Sequence, residues 1–193
     1  MSERKPIEVG SFVPDFTLKN QHGNEVSLAS LKGRNVILSF HPLAWTPVCR
    51  DQMKELDLNF DLFVSMNTVP LGFSVDSLPC KTAWAEAIGL ESLQILSDFW
   101  PHGAVAQSLG LFRDSHGISE RANVIVNGEG VVVFVKVYPI RQLPDIEEIV
   151  AFVREYTGTE VSGDVEVQHC MKTETGTTCI DDGRNRGINA TGK

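Results

Sequence analysis

The cysteine at position 49 stands where a thiol can become a nucleophile. It closes the stretch Pro42-Leu43-Ala44-Trp45-Thr46-Pro47-Val48-Cys49, which follows the apolar run Val36-Ile37-Leu38-Ser39-Phe40. That run is short, β-branched and bounded by Gly33 and Pro42, the pattern of a buried strand. Beyond Pro47, the residues Met53, Leu56, Phe60 and Phe63 recur at three- and four-residue steps, the helical period. Pro47 suits a first helical turn, where its missing N–H removes no intrahelical bond. Cys49 is therefore expected in the first turn of a helix that leaves a core strand. Unpaired amides and the positive end of the helix dipole favour a thiolate there, whereas an unperturbed thiol is only a few per cent ionised at neutral pH. The competing reading is an inert cysteine packed as a small hydrophobe. Thr46 weighs against it, because its hydroxyl can reach the same pocket and bond a thiolate or an incoming oxygen.

The surrounding pattern supplies the elements that would position this thiol. Phe12–Leu18 and Asn24–Leu28, around Gln21-His22-Gly23, read as an opening β-hairpin. A strand over Val36–Phe40 and a long helix from about Pro47 to Ser65 follow. Val69–Val75 reads as a second core strand, Lys81–Ile88 as a helix, Leu93–Leu96 as a short strand and His102–Leu109 as a short helix. Ala122–Val126 and Val131–Tyr138 flank Asn127-Gly128-Glu129-Gly130, a hairpin turn signal. Pro144 opens an amphipathic helix through Ile146, Ile149, Val150 and Val153 that ends before Gly158. Strands alternating with helices, then a hairpin and a helix, predict an α/β fold with a central mixed sheet. Residues 158–193 are rich in Gly, Thr, Asp and Asn, and read as a flexible or docking tail on a domain spanning 1–157.

Composition narrows the function classes. The 193 residues suit one domain with a full core. Seventeen Lys and Arg against 25 Asp and Glu give a net charge of −8, which argues against nucleic-acid or anionic-membrane binding. Met1–Gly10 has no cationic start followed by an apolar segment, and the longest apolar run, near Val131–Val135, is far too short to span a membrane. With four cysteines and no secretory signal, redox or catalytic use inside the cell is favoured over structural disulfides, and the cytoplasm is the expected location. No cofactor motif and no paired metal-ligand spacing is found, so neither a cofactor nor a metal is expected.

Pro42, Thr46 and Cys49 form a Pro-x-x-x-Thr-x-x-Cys signature in a strand-to-helix context, and with it the chain resembles the peroxiredoxins. The resemblance extends through Ser74-Val75-Asp76-Ser77, Leu96-Ser97-Asp98-Phe99-Trp100-Pro101-His102-Gly103 and Glu120-Arg121-Ala122-Asn123-Val124-Ile125-Val126, and covers roughly residues 6 to 157. It implies a thioredoxin-like fold and thiol-dependent reduction of hydrogen peroxide, organic hydroperoxides or peroxynitrite. By the same resemblance Cys49 attacks the peroxide and becomes a sulfenic acid, Thr46 holds the peroxide, and Pro42 shields the pocket. Arg121 is the active-site arginine, whose alternative is an ordinary strand-edge charge. Gln52 falls where many relatives carry Glu and can bridge to an arginine without supplying charge. His41 either lines the pocket or is a satisfied structural histidine. Trp45 and Trp84 read as core or subunit-contact residues. A homodimer is the expected assembly.

What reduces the sulfenic acid is a separate question. A cysteine at Lys54 would give the Cys-x-x-x-x-Cys arrangement of one subgroup, and it is absent. Cys80 is the internal choice, since some relatives of the bacterioferritin-comigratory type carry a resolving cysteine on that helix; a small buried residue at a helix start is the alternative. Bridging needs Cα atoms within about 7 Å, so the turn around Cys49 would have to unwind. Cys170 and Cys179, with His169 beside them, could form a local disulfide, resolve Cys49 across a dimer, pass electrons onward, or remain unpaired. Thioredoxin or a related dithiol protein is the expected reductant. Two other functions fit the same residues: a thiol–disulfide oxidoreductase, disfavoured by the missing Cys-x-x-Cys, and a redox sensor or holdase switched by Cys49 oxidation.

Overall fold

The computed structural model describes residues 5–159, 166–173 and 176–178. Its elements begin with the hairpin β1 (Thr17–Asn20) and β2 (Glu25–Ser27), then β3 (Asn35–Phe40), α1 (Pro47–Leu58), α2 (Phe60–Ser65), β4 (Thr68–Ser74), α3 (Leu78–Ala87) and β5 (Gln94–Ser97). They continue with α4 (Ala104–Ser108), β6 (Phe112–Arg113), β7 (Ile118–Ser119), β8 (Arg121–Val126), β9 (Val132–Tyr138), α5 (Ile146–Thr157), β10 (Met171–Thr173) and β11 (Gly176–Thr178). Seven strands form one mixed sheet in the order β2-β1-β5-β4-β3-β8-β9. β3, β4 and β5 run parallel; β1 is antiparallel to β5, and β8 is antiparallel to β3. This is the thioredoxin-like arrangement that the resemblance implies.

Strand alternation divides the core into two layers. Val36, Leu38 and Phe40 of β3 pack with Val69, Leu71, Phe73, Val124 and the α4 residues Val105 and Ala106. Ile37 points the other way, among Cys49, Met53 and Leu56 of α1, Trp84 of α3 and Ile149, Val150 and Val153 of α5. Each such fully buried aliphatic side chain stabilises the fold by about 1.5–3 kcal/mol. Gly72 of β4 lets α1 approach this closely. An added Cβ would collide with Met53 Sδ and lie 2.8 Å from Ile95 Cγ2.

The parallel strands decide where the site must be. The C-terminal ends of β3, β4 and β5 share one edge of the sheet, and antiparallel β8 begins there. The loops to α1 and α3 and the first residue of β8, Arg121, therefore meet at that edge.

Several expectations shift in detail. The helix expected from Pro47 to Ser65 is two helices, broken at Asn59 (φ −101°, ψ 14°). At this break the Asn59 side-chain amide donates to Glu55 O and to Gln168 O of the tail. α3 starts at Leu78 rather than Lys81, because Ser77 is an extended N-cap and Pro79 fits the first turn. That places Cys80 and Lys81 inside the first turn. The last helix starts at Ile146, where Asp145 accepts the Glu147 amide at 3.0 Å, and it ends at Gly158 in the left-handed region.

Candidate active site

β3 prepares the site through its alternation. Ser39 and His41 lie on the Ile37 face, fully buried beneath α1 and α3. After Pro42, which is also buried, the chain turns sharply through Trp45, a non-glycine residue at φ 63°. This loop is braced from β4: Asp76 Oδ2 accepts the Ala44 N–H at 2.8 Å and the Ser74 hydroxyl at 2.6 Å.

Thr46 is the N-cap of α1 by backbone, but its hydroxyl makes no capping bond. It donates to Leu43 O at 3.2 Å, which leaves its oxygen lone pairs as acceptors on an exposed residue. Three residues on, the Cys49 side chain is fully buried in the first turn of α1, where backbone amides have no intrahelical acceptor.

Arg121 reaches the same point from β8. It sits on the strand face opposite Ala122 and Val124, and is 2% exposed. Its Nη2 donates to Cys49 Sγ at 3.3 Å. Nε donates to Ile140 O at 2.9 Å, and Nη1 donates to Gln52 Oε1. Gln52 in turn donates to Ser39 Oγ at 2.8 Å and to Phe40 O at 3.1 Å. The guanidinium is thus fixed by α1, β3 and the segment after β9, with neutral partners on two sides and sulfur on the third. Among the described residues no carboxylate takes part in these contacts.

Cys80 is half-buried at the edge of this core layer, with Sγ 3.7 Å from Asp76 Oδ1. Burial and the Asp76 carboxylate push its thiol up, so it is held as the thiol. Cys49 and Cys80 are both free thiols. The sequence singled out Pro42, Thr46, Cys49 and Arg121. All four lie at the same sheet edge, and Cys49 and Arg121 are in direct contact.

Other residues matter here with little local sign of it in their neighbours along the chain. His41 is buried against Trp84, with ring centroids 5.1 Å apart, and its Nε2 lies 3.2 Å from Lys81 Nζ. Burial, then Lys81 and Arg121, push the imidazole well below its usual range, so His41 is neutral. Trp84 is core, as one reading had it, while Trp45 is 60% exposed beside the site.

The tail docks on α1. Gln168 exchanges two hydrogen bonds with Asn59, at 2.8 and 3.0 Å, and His169 lies 3.2 Å from Glu147 and 3.9 Å from Glu55. Cys170 is disulfide-bonded and its Sγ is 4.0 Å from Asp51 O; Cys179 lies outside the described residues. Among the described residues, no group of three or more His, Cys, Asp and Glu side chains could hold a metal ion, and no helix is long and apolar enough to cross a membrane.

A thioredoxin-like sheet with a buried cysteine at a helix start, held by an arginine from the neighbouring strand, defines a thiol-chemistry protein. Comparison with known proteins gives the family. Residues 9–135 match the AhpC/TSA family. The chain is 37% identical over 129 residues to alkyl hydroperoxide reductase E of Mycobacterium tuberculosis, covering 66% of this chain and 84% of that protein. It is 28% identical over 169 residues to a peroxiredoxin of Thermotoga maritima, covering 84% of this chain and 77% of the relative. Among solved structures, the reduced 2-Cys peroxiredoxin of Plasmodium vivax superposes with a TM-score of 0.70 at 27% identity, covering 78% of this chain and 96% of that one. Peroxidoxin BcpB of Mycobacterium tuberculosis shares the fold, with a TM-score of 0.68 at 23% identity over 77% of this chain and 97% of that one. The chain belongs to the AhpC/TSA family, and it is a peroxiredoxin-type thiol peroxidase.

Proposed function

We propose that Cys49 is the sulfur that reduces hydrogen peroxide and organic hydroperoxides. The observation that supports this most directly is the Arg121 guanidinium, buried 3.3 Å from Cys49 Sγ with no carboxylate hydrogen-bonded to it among the described residues. Thiolate attacks the terminal peroxide oxygen, the O–O bond breaks, and Cys49 becomes a sulfenic acid as an alkoxide or hydroxide departs. Arg121 stabilises the charge as it moves from sulfur to the leaving oxygen. Thr46 accepts the peroxide O–H at its hydroxyl oxygen while donating to Leu43, which aligns the O–O bond. Pro42, buried just after β3, shields the pocket from water, as the family resemblance implies.

Cys80 is the thiol that condenses with the sulfenic acid, releasing water and forming a disulfide. Its half-buried position beside Asp76 and Trp45 supports this, since it can be uncovered by a local movement of the loop that Asp76 braces. A thioredoxin or related dithiol protein then reduces the disulfide. The protein works as a cytoplasmic homodimer; Leu43, Trp45, Phe99 and Trp100, exposed on the loops after β3 and β5, support a subunit contact beside the site. The test is peroxide turnover by Cys49→Ser with a dithiol reductant. Loss to the buffer rate is expected, and retained turnover would remove Cys49 from the reaction.

A further inference from the structure

Asp76 belongs to the segment Ser74-Val75-Asp76-Ser77, which the reaction above uses only as a brace. Its two carboxylate oxygens have different partners. Oδ2 accepts the Ala44 N–H at 2.8 Å and the Ser74 hydroxyl at 2.6 Å. Oδ1 accepts the Cys80 S–H, with the sulfur 3.7 Å away. One carboxylate therefore holds both the loop that leads to Thr46 and the thiol of α3.

The contact with Cys80 is a local one. The two residues are four apart, on either side of the N-cap Ser77, where α3 begins. The pair stays together when the loop after β3 is released from Oδ2, which is the movement a bridge to Cys49 requires. Cys80 also packs against the core layer that contains Cys49. What the thiol lacks is charge. The nucleophile in disulfide formation is a thiolate, and burial, then the Asp76 carboxylate, push the Cys80 thiol up. The other groups acting on this sulfur are the Trp45 indole N–H, from the loop after β3, and the Lys81 ammonium of α3. Both only donate, so neither takes a proton from sulfur. Among the described residues, the Asp76 carboxylate is the acceptor in contact with it.

We propose that Asp76 is the general base of the resolving step, taking the Cys80 proton as that sulfur attacks the Cys49 sulfenic acid. The inference rests on Cys80 being the thiol that resolves Cys49. The S–S bond forms as the Cys49 S–O bond breaks, and the proton moves from Cys80 to Asp76 Oδ1. It then passes to the departing hydroxide. The products are the disulfide, one water and the original carboxylate, and no outside oxidant or reductant enters.

The test is the rate at which Cys49 sulfenic acid becomes the Cys49–Cys80 disulfide in the full chain. One equivalent of hydrogen peroxide is added, samples are quenched, and both species are followed by peptide mass spectrometry from pH 5.5 to 8. Carboxylates are ionised across this range, so the wild-type rate should stay level within about threefold. Without an internal base the rate follows the thiolate fraction and rises about tenfold per pH unit. Asp76→Asn should show that slope and run about 100-fold slower than wild type at pH 6. Ser74→Ala loosens the brace on Oδ2, leaves Oδ1 facing Cys80, and should keep the level profile. A slope in Ser74→Ala as steep as in Asp76→Asn would assign the effect to the brace and overturn the proposal. An Asp76→Asn rate equal to wild type overturns it too. So does a tenfold-per-unit rise in wild type, and that profile decides alone if Asp76→Asn does not fold. Sulfenic acid that never becomes a Cys49–Cys80 disulfide in wild type overturns the choice of Cys80 itself, and the proposal with it.

Discussion

Arg121 Nη2 and Cys49 Sγ lie 3.3 Å apart across 72 residues of sequence. The contact exists because β8 is antiparallel to β3, which brings the first residue of one strand to the end of the other, just where α1 begins. Topology alone would bring the two near. The Ile140 carbonyl and Gln52 fix the guanidinium plane so that one nitrogen points at sulfur.

Arg121→Met removes both the cation and the donor to the leaving oxygen. Turnover with hydrogen peroxide should fall about 100-fold or more, the usual cost of losing one such donor at a developing charge. Steady-state kinetics under saturating reductant measure this directly. A loss below fivefold would make Arg121 a structural ion.

Gln52 contributes position without charge. Gln52→Leu leaves Nη1 of Arg121 and the Ser39 hydroxyl without their partner, so kcat/KM should drop about 10- to 100-fold, in line with a lost hydrogen bond to a charged group. Gln52→Glu keeps the acceptor for Arg121 but loses the donor to Phe40 O and sets a carboxylate on the guanidinium, so a smaller loss than in Gln52→Leu is expected. Equal losses in both variants would contradict a bridging role.

Cys80→Ser should separate the two halves of the cycle. Stoichiometric consumption of one peroxide is retained, while turnover through a dithiol protein is lost and Cys49 sulfenic acid accumulates. Unchanged turnover with that reductant would exclude Cys80 as the resolving thiol.

Much of this site was legible in the sequence for physical reasons that can be named. Pro47 and the three- and four-residue spacing of Met53 and Leu56 mark a helix start, and the β-branched run before Pro42 marks the strand that feeds it. Arg121 was legible only by resemblance, since nothing local tells a strand-start arginine that meets sulfur from one that meets solvent. The break at Asn59 was hidden because the apolar spacing runs unchanged into Phe60 and Phe63, while the residue that Asn59 bonds at the break, Gln168, lies more than a hundred residues away. Lys81 was hidden for a related reason. Charged residues on a helix read as solvent-facing, whereas Lys81 shares the buried face of Trp84, three residues on.

The buried carboxyl of Glu55 gives a pH dependence of stability. Glu55 of α1 is 5% exposed, and its carboxyl is pushed up to about 7, chiefly by burial, against the opposing pull of His169 and the Cys170 amide. The folded chain therefore binds the Glu55 proton more tightly than the unfolded chain does. This contribution to stability is complete below about pH 4.5, declines as pH rises through 7, and is level above that. Glu55→Gln should match wild type at pH 5 and exceed it at pH 8 by on the order of 1–3 kcal/mol. Urea midpoints at the two pH values provide the check, and identical slopes in both proteins would contradict it.

The most direct measurement is peptide mass spectrometry after one equivalent of hydrogen peroxide, with dimedone present to trap sulfenic acid. The adduct is expected on the peptide containing Cys49, in wild type and more abundantly in Cys80→Ser. An adduct on another cysteine, with Cys49 recovered as the free thiol, would contradict the account at its centre.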